Sequence, residues 1–329
     1  MMMSSNKQSS RGNGLGTGAS PKLRGQRKKA RALYTVILVF ANIALAETPS
    51  GTKIANPAEE KAVQMRERIL AESHALTNHP WAGQYGCGYA LTAGATLYIC
   101  PGSGYVIEWE ACLGVHARTF GNVMETNGHI RLSFSDKEEC RLLTYLNGEM
   151  FPVQWGERRY LIPYDDVIGF CNAINNGSEP RGEMYGWHLL RDGDHAKPVS
   201  GFPAIPTEYR PYLLAEPITA EIMNVDSNTT EEGKGEWAFR DTFFTLNAGR
   251  ERGLLGGMQM VVVEPDTITE KVYITEVQKD KAIGRITQFA TSPMPAVGWG
   301  LATRRSTTRL KRKRQGLASC SRTSERQRE

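Results

Sequence analysis

Two stretches of the chain place apolar residues at helical spacing. In the first, Ala62, Met65, Ile69 and Leu76 follow Asn56-Pro57-Ala58-Glu59. Asn56 can cap, Pro57 suits a first helical position and Glu59 can reach back to the cap nitrogen, so a helix is expected over 57–76. In the second, Tyr164-Asp165-Asp166 opens a run in which Val167, Ile168, Phe170, Cys171 and Ile174 are apolar, and Asn176-Gly177 ends it. Its two aspartates sit where a helix start favours negative charge.

Elsewhere the pattern is one of short β-rich runs between turn residues. Ala95 to Ile99 and Tyr105 to Trp109 flank Pro101-Gly102-Ser103-Gly104 and read as a hairpin. A turn centred on Gly102-Ser103 places Tyr98 opposite Ile107 and Thr96 opposite Trp109. Cys100 and Cys112 then lie roughly 20 Å apart along the ladder, too far to bridge within the hairpin. Further runs at 129–134, 141–145 and 159–162 continue a meander that curls into a barrel or half-barrel. Five more runs, at 218–222, 243–246, 258–263, 272–277 and 282–286, form a second unit of small-barrel size. The expected fold is therefore mainly β with a few helices, a lipocalin-like barrel or half-barrel followed by a small SH3/OB-like barrel.

Charge divides the chain further. Residues 1–31 carry eight Lys/Arg and no acid, and residues 304–329 carry ten Lys/Arg against two Glu. The net charge of +5 thus resolves into +16 at the two ends and −11 between them. An acidic body repels phosphate backbones, which argues against a nucleic-acid partner. The basic leader runs into the apolar stretch 32–41, then Ala44-Leu45-Ala46 before Glu47, the order of a cleavable signal peptide. That apolar stretch is shorter than the ~20 residues of a membrane span, so no stable transmembrane segment is expected after cleavage. The resulting plan is a signal peptide over 1–46, a linker with the amphipathic helix over 47–80, and a β-rich domain over 81–200. A Pro-rich linker (201–217), the small barrel (218–303) and a basic tail (304–329) complete it. The expected location is periplasmic or extracellular.

The strand end Asn247-Ala248-Gly249, the Gly253-Leu254 turn, Gly257-Met258 and Val272 to Val277 carry a resemblance. Over 246–286 the chain is similar to the C-terminal small β-barrel of the flagellar assembly protein T family, which implies a barrel in an envelope protein. Residues 81–134, with Trp81-Ala82-Gly83 and successive hairpins, look like the opening of lipocalin-like barrels. Together with Cys112-Leu113-Gly114 and Trp155 to Tyr160, that segment also resembles uncharacterised exported bacterial proteins, which implies no activity.

Chemistry is sparse. The six histidines show no metal spacing, and no nucleophile elbow, papain-type cysteine motif or phosphate loop occurs. No cofactor or metal site is expected. Glu108 and Glu110 share a strand face and are expected on its wet side. Trp81, Tyr85, Trp109 and Trp155 are the candidate aromatic binding residues, and Arg158 with Arg159 the candidate anion or sugar platform. Cys171 is expected as a buried free thiol. The leading expectation is a non-enzymatic exported envelope protein that binds a protein or polymeric partner. The alternatives are a lipocalin-like carrier, its first barrel holding an apolar ligand with Trp81, Tyr98, Trp109 and Trp155 near the mouth, and a wall-polymer hydrolase using Glu108 with Asp165 or Asp166, within about 5–10 Å of each other.

Overall fold

The computed structural model describes residues 57–86, 93–111, 114–134, 148–180, 188–226, 230–232 and 238–304. The leader and its cleavage site, Cys87, Cys112, Cys140, the run at 141–145 and the basic tail from 305 onward lie outside the described residues.

Helix α1 (Pro57–Ala75) buries Ala62, Met65 and Ile69, the apolar spacing that predicts it. The first barrel follows as β1 (Gly83–Gly86), β2 (Ala93–Cys100), β3 (Gly104–Ala111), β4 (Gly114–Thr126), β5 (His129–Phe134), β6 (Glu149–Trp155), β7 (Arg158–Pro163) and β8 (Leu189–Arg191). Each strand pairs antiparallel with the next, and β8 returns to β1 through Tyr85↔Arg191 and Gly86↔Leu190. The meander therefore closes fully. Its interior holds large side chains, Trp81, Tyr85, Leu97, Tyr105, Ile107 and Trp109 among them, packed as one cluster. α1 lies on the outer wall, where Met65 and Ile69 meet Ala82, Cys100 and Val106.

The β2–β3 register differs from the expected one by a residue. Tyr98 pairs with Val106 and Thr96 with Glu108, while Cys100 pairs with Gly104. The turn is three residues long, 101–103, and Gly104 follows with φ 86°, a left-handed conformation that glycine adopts without strain. A one-residue slip exchanges the faces of every side chain, so Ile107 and Trp109 point inward and Glu108 outward with Tyr98.

After β7 a 3-10 turn (Tyr164–Asp166) leads into helix α2 (Val167–Asn175), which Gly177 closes at φ 71°. α2 packs Val167, Phe170 and Cys171 against Phe151, Tyr160 and Ile162 on the outer wall opposite α1. Cys171 is a buried free thiol, as expected, and burial pushes it up to about 12.

The second barrel contains β9 (Thr219–Val225), β10 (Thr230–Glu232), β11 (Phe239–Leu246), β12 (Gln259–Glu264), β13 (Lys271–Val277), β14 (Ala282–Phe289) and β15 (Gly300–Ala302). Six of these close in the order β11-β14-β13-β12-β15-β9 and back to β11, with β10 added beside β11. The five expected runs are all strands, and the short β15 supplies the sixth wall by pairing with both β12 and β9. Phe244, Met260, Val272, Ile274 and Ile286 fill the interior.

α2 also joins the two barrels. Asn172, fully buried, donates to the Gly257 carbonyl (2.9 Å) and accepts from the Gln259 amide (3.0 Å). One turn on, Asn175 donates to the Tyr212 carbonyl (2.7 Å) and accepts from the Leu214 amide (3.0 Å). Both amide side chains are thus satisfied at a seam where an unpaired group is costly.

Candidate binding groove

Strand alternation sorts the sequence-derived candidates into two places. Trp81, Tyr85 and Trp109 point into the first barrel and belong to its core. Trp81 Nε1 donates to Glu125 Oε2 at 2.9 Å. Arg159 donates from Nη1 to the His79 carbonyl (3.1 Å), and its backbone amide donates to Asp194 (2.9 Å). These four form no shared surface with the other two. The aromatic mouth expected of a carrier does not assemble either, because Tyr98 packs outside the wall beside α1 and the inward rings are buried in the core.

Trp155 and Arg158 do come together. They pair across the β6–β7 turn and line a groove of about 450 Å³ between the barrels. Gly156 at the tip of that turn has φ 59°, and a Cβ there would meet the Pro198 carbonyl oxygen at 2.6 Å, so the turn and the 198–200 loop fit closely. The end of α2 contributes Asn175, Gly177 and Glu179, the 199–217 connection contributes Phe202 and Leu214, and Arg304 enters from just beyond β15. Trp155 Nε1 donates to the Gly201 carbonyl (2.8 Å) and Arg158 Nε to the Lys197 carbonyl (2.6 Å). Arg158 Nη1 is ion-paired with Glu179, which also accepts from the Tyr160 hydroxyl (2.8 Å). The Trp155 ring and the Arg158 guanidinium are therefore pre-positioned rather than swinging free. Phe202 is 54 % exposed and Arg304 is exposed, so the groove offers an aromatic face and a cation to solvent. The sequence reading missed Phe202, Glu179 and Arg304. A large aromatic residue in a proline-punctuated loop is the available signal for the first, whereas Arg304 reads as the first residue of the basic tail.

The carboxylates are held elsewhere. Glu108 is 2 % exposed, not on a wet face, because α1 covers it. Arg66 of α1 donates to its Oε1 and Oε2 at 2.9 and 3.2 Å, and Arg118 of β4 to Oε1 at 2.8 Å. Asp166 pairs with His188, Oδ2 to Nε2 at 3.0 Å, while His188 Nδ1 lies 2.6 Å from the Pro180 carbonyl. Both ring nitrogens face acceptors, which only the doubly protonated imidazole satisfies. Burial pulls the His188 pKa down, but the Asp166 carboxylate outweighs it and holds the pKa above the ordinary value. Glu108 and the 165–166 pair belong to opposite outer walls, since β3 and β7 stand four strands apart in an eight-stranded ring. No common cleft joins them, so the carboxylate pairing needed by the hydrolase reading is not formed.

Among the described residues no group of three or more His, Cys, Asp or Glu side chains is placed to hold a metal ion, and no helix is long and apolar enough to cross a membrane. No protein family, curated protein or solved structure matches the chain.

Proposed function

We propose that this chain is an exported cell-envelope protein that performs no catalysis and binds a protein or polymeric partner in the groove between its barrels. One observation supports the reading: Trp155, Arg158, Phe202 and Arg304, drawn from both barrels and their connection, line a single concavity. Aromatic rings and guanidinium groups combine large contact area with directional donors, the combination that dominates binding surfaces. Export follows from the leader ending at Ala46.

A photo-crosslinking residue at Phe202 in the full chain tests the groove in intact cells. The expected result is one discrete adduct that is absent when the crosslinker replaces the exposed Met124 of β4, and that weakens in the Trp155→Ala, Arg158→Ala double variant. Identical adducts from both positions, or reproducible turnover of a glycan, ester or peptide by the purified protein, overturns the reading. N-terminal sequencing of the mature chain is expected to begin at Glu47, and an intact leader on the soluble protein removes the export claim.

A further inference from the structure

The interior of the second barrel changes character along its axis. Inward residues of β11 and β14 face one another as Leu246 with Ala282, Phe244 with Gly284, Thr242 with Ile286 and Arg240 with Gln288. Two apolar rungs give way to two that carry polar side chains, and Arg240, Thr242 and Gln288 are only 7 %, 0 % and 1 % exposed. Arg240 Nη1 and Nη2 donate to the carbonyls of Ala290 (2.8 Å) and Ser292 (2.7 Å), which fixes the guanidinium at the barrel end. Its Nε, the Thr242 hydroxyl and both amide atoms of Gln288 have no hydrogen-bond partner. Buried polar atoms are almost always paired, and each one left alone costs a sizeable share of the margin that keeps a domain folded. Four on neighbouring side chains of one barrel end call for an occupant that pairs with them.

We propose that this end of the second barrel is a binding site for a small organic carboxylate. The free donors are Arg240 Nε, the Gln288 amide nitrogen and the Thr242 hydroxyl. Arg240 and Gln288 are direct cross-strand partners on the inward face, with Cβ atoms about 5 Å apart, close enough for both side chains to donate to one carboxylate. Among the described residues no carboxylate pairs with Arg240, so a ligand anion supplies the compensating charge. Gln288 Oε1 is an acceptor, which favours a carboxylate with a hydroxyl or ammonium beside it. Glu231 of β10 is the register partner of Arg240 on its other side, so the Glu231→Gln variant belongs in the test.

The purified full chain, in chloride buffer, is titrated with acetate, glycolate and the neutral control acetamide, following the side-chain N–H resonances of Arg240 and Gln288 and the melting temperature. The expected result is a saturable shift with both anions, about tenfold tighter for glycolate through its extra hydrogen bond, and none with acetamide. Gln288→Leu abolishes the response. Gln288→Glu, which installs a carboxylate beside Arg240, raises the melting temperature and also removes the response, while Glu231→Gln retains it. A cluster that merely holds water gives no saturable shift with either anion and is stabilised by Gln288→Leu. That outcome overturns the proposal, as does an equal response to acetate and acetamide, a response that survives Gln288→Leu, or its loss in Glu231→Gln.

Discussion

The two barrels place the buried charges of Glu108 and Arg240 in opposite ways. In the first, the Glu108 charge lies outside the wall, under α1, with both oxygens donated to by arginines. The inward side is mainly a contiguous cluster of rings and aliphatic chains, in which the Tyr85 and Thr119 hydroxyls are isolated polar atoms without a partner. In the second, polar side chains occupy the inside, and those of Thr242 and Gln288 have no partners. A charge beneath a helix can be matched by residues of that helix, as Arg66 matches Glu108. A polar group inside a narrow barrel can be matched only by the barrel's own inward residues or by something that enters. The first arrangement locks a structure together, and the second leaves chemistry unspent.

The largest expected effect separates apolar interior from polar interior within the second barrel. Phe244 is fully buried, and a Cβ on the facing Gly284 would meet its ring at 2.7 Å, so the ring fills the space that the glycine leaves. Phe244→Ala is expected to cost about 4 kcal/mol in denaturant unfolding. A loss below about 1 kcal/mol would mean that the apolar rungs contribute no more than the polar ones. Next comes the buried charge of the first barrel. Glu108→Ala leaves two guanidinium groups facing each other under α1, and the expected loss is about 3 kcal/mol, reduced from a fully buried case because Arg66 and Arg118 are 29 % and 19 % exposed. An unchanged stability would show that α1 is held by its apolar face alone.

How much of this was legible depended on whether a strand's own residues carry its signal. β2, β3 and β5 are short runs rich in β-branched, aromatic and other apolar residues between turn residues, and so are the five runs of the second barrel, so the barrels could be anticipated. β4 is the longest strand and was missed. Its inward positions are filled by Ala117, Thr119 and Gly121, small residues that leave room for large ones on β3. Gly121 faces Tyr105, whose ring would lie 3.0 Å from any Cβ there. The strand is shaped by its neighbour, and no periodicity records that. β6 was hidden by Pro152, and β8 and β15 are three residues each. Among the candidate site residues, alternation alone could not tell the inside of a closed barrel from its outside. Trp81, Tyr85 and Trp109 became core, while Trp155 and Arg158 reached the groove. The exposure expected for Glu108 failed because only the fold shows which wall α1 covers.

A third, smaller effect concerns the seam that makes the two barrels cooperate. Asn172→Ala removes one donor and one acceptor and leaves the Gly257 carbonyl and Gln259 amide without those partners, for an expected loss of about 2 kcal/mol. Calorimetry is expected to show one transition for the parent protein and two for the variant. A single transition in both would place the coupling elsewhere, at Asn175 or Tyr212.

The pH dependence of the first barrel offers a further contrast. His188 has a folded pKa above its ordinary value, so the protonated imidazole stabilises the fold. That contribution is fully present below the unfolded pKa and is lost as pH rises through the folded one. The stability difference between the parent and His188→Gln is therefore expected to shrink from mildly acidic to alkaline pH, as chemical denaturation at a series of pH values will register. A difference that grows with pH would mean that the ring is neutral in the fold and that Asp166 does not hold its proton.

The smallest expected effect comes from the contact between α1 and the β2–β3 turn. Glu72 accepts the Gly102 amide at 2.9 Å. Burial alone would raise its pKa, but hydrogen bonds from Ser103 and Gly102 hold it below the ordinary carboxylate value. Its contribution is therefore present above the unfolded pKa and lost as pH falls through the folded one, opposite in sign to that of His188. The site is close to solvent, so Glu72→Gln is expected to cost only about 0.5 kcal/mol at neutral pH and nothing in acid. A loss as large as that of Glu108→Ala would mean that the exposed end of α1 carries as much of the docking as its buried ion pair. The gradient along the helix, from charge locked under Arg66 to charge shared with water at Glu72, would then be absent.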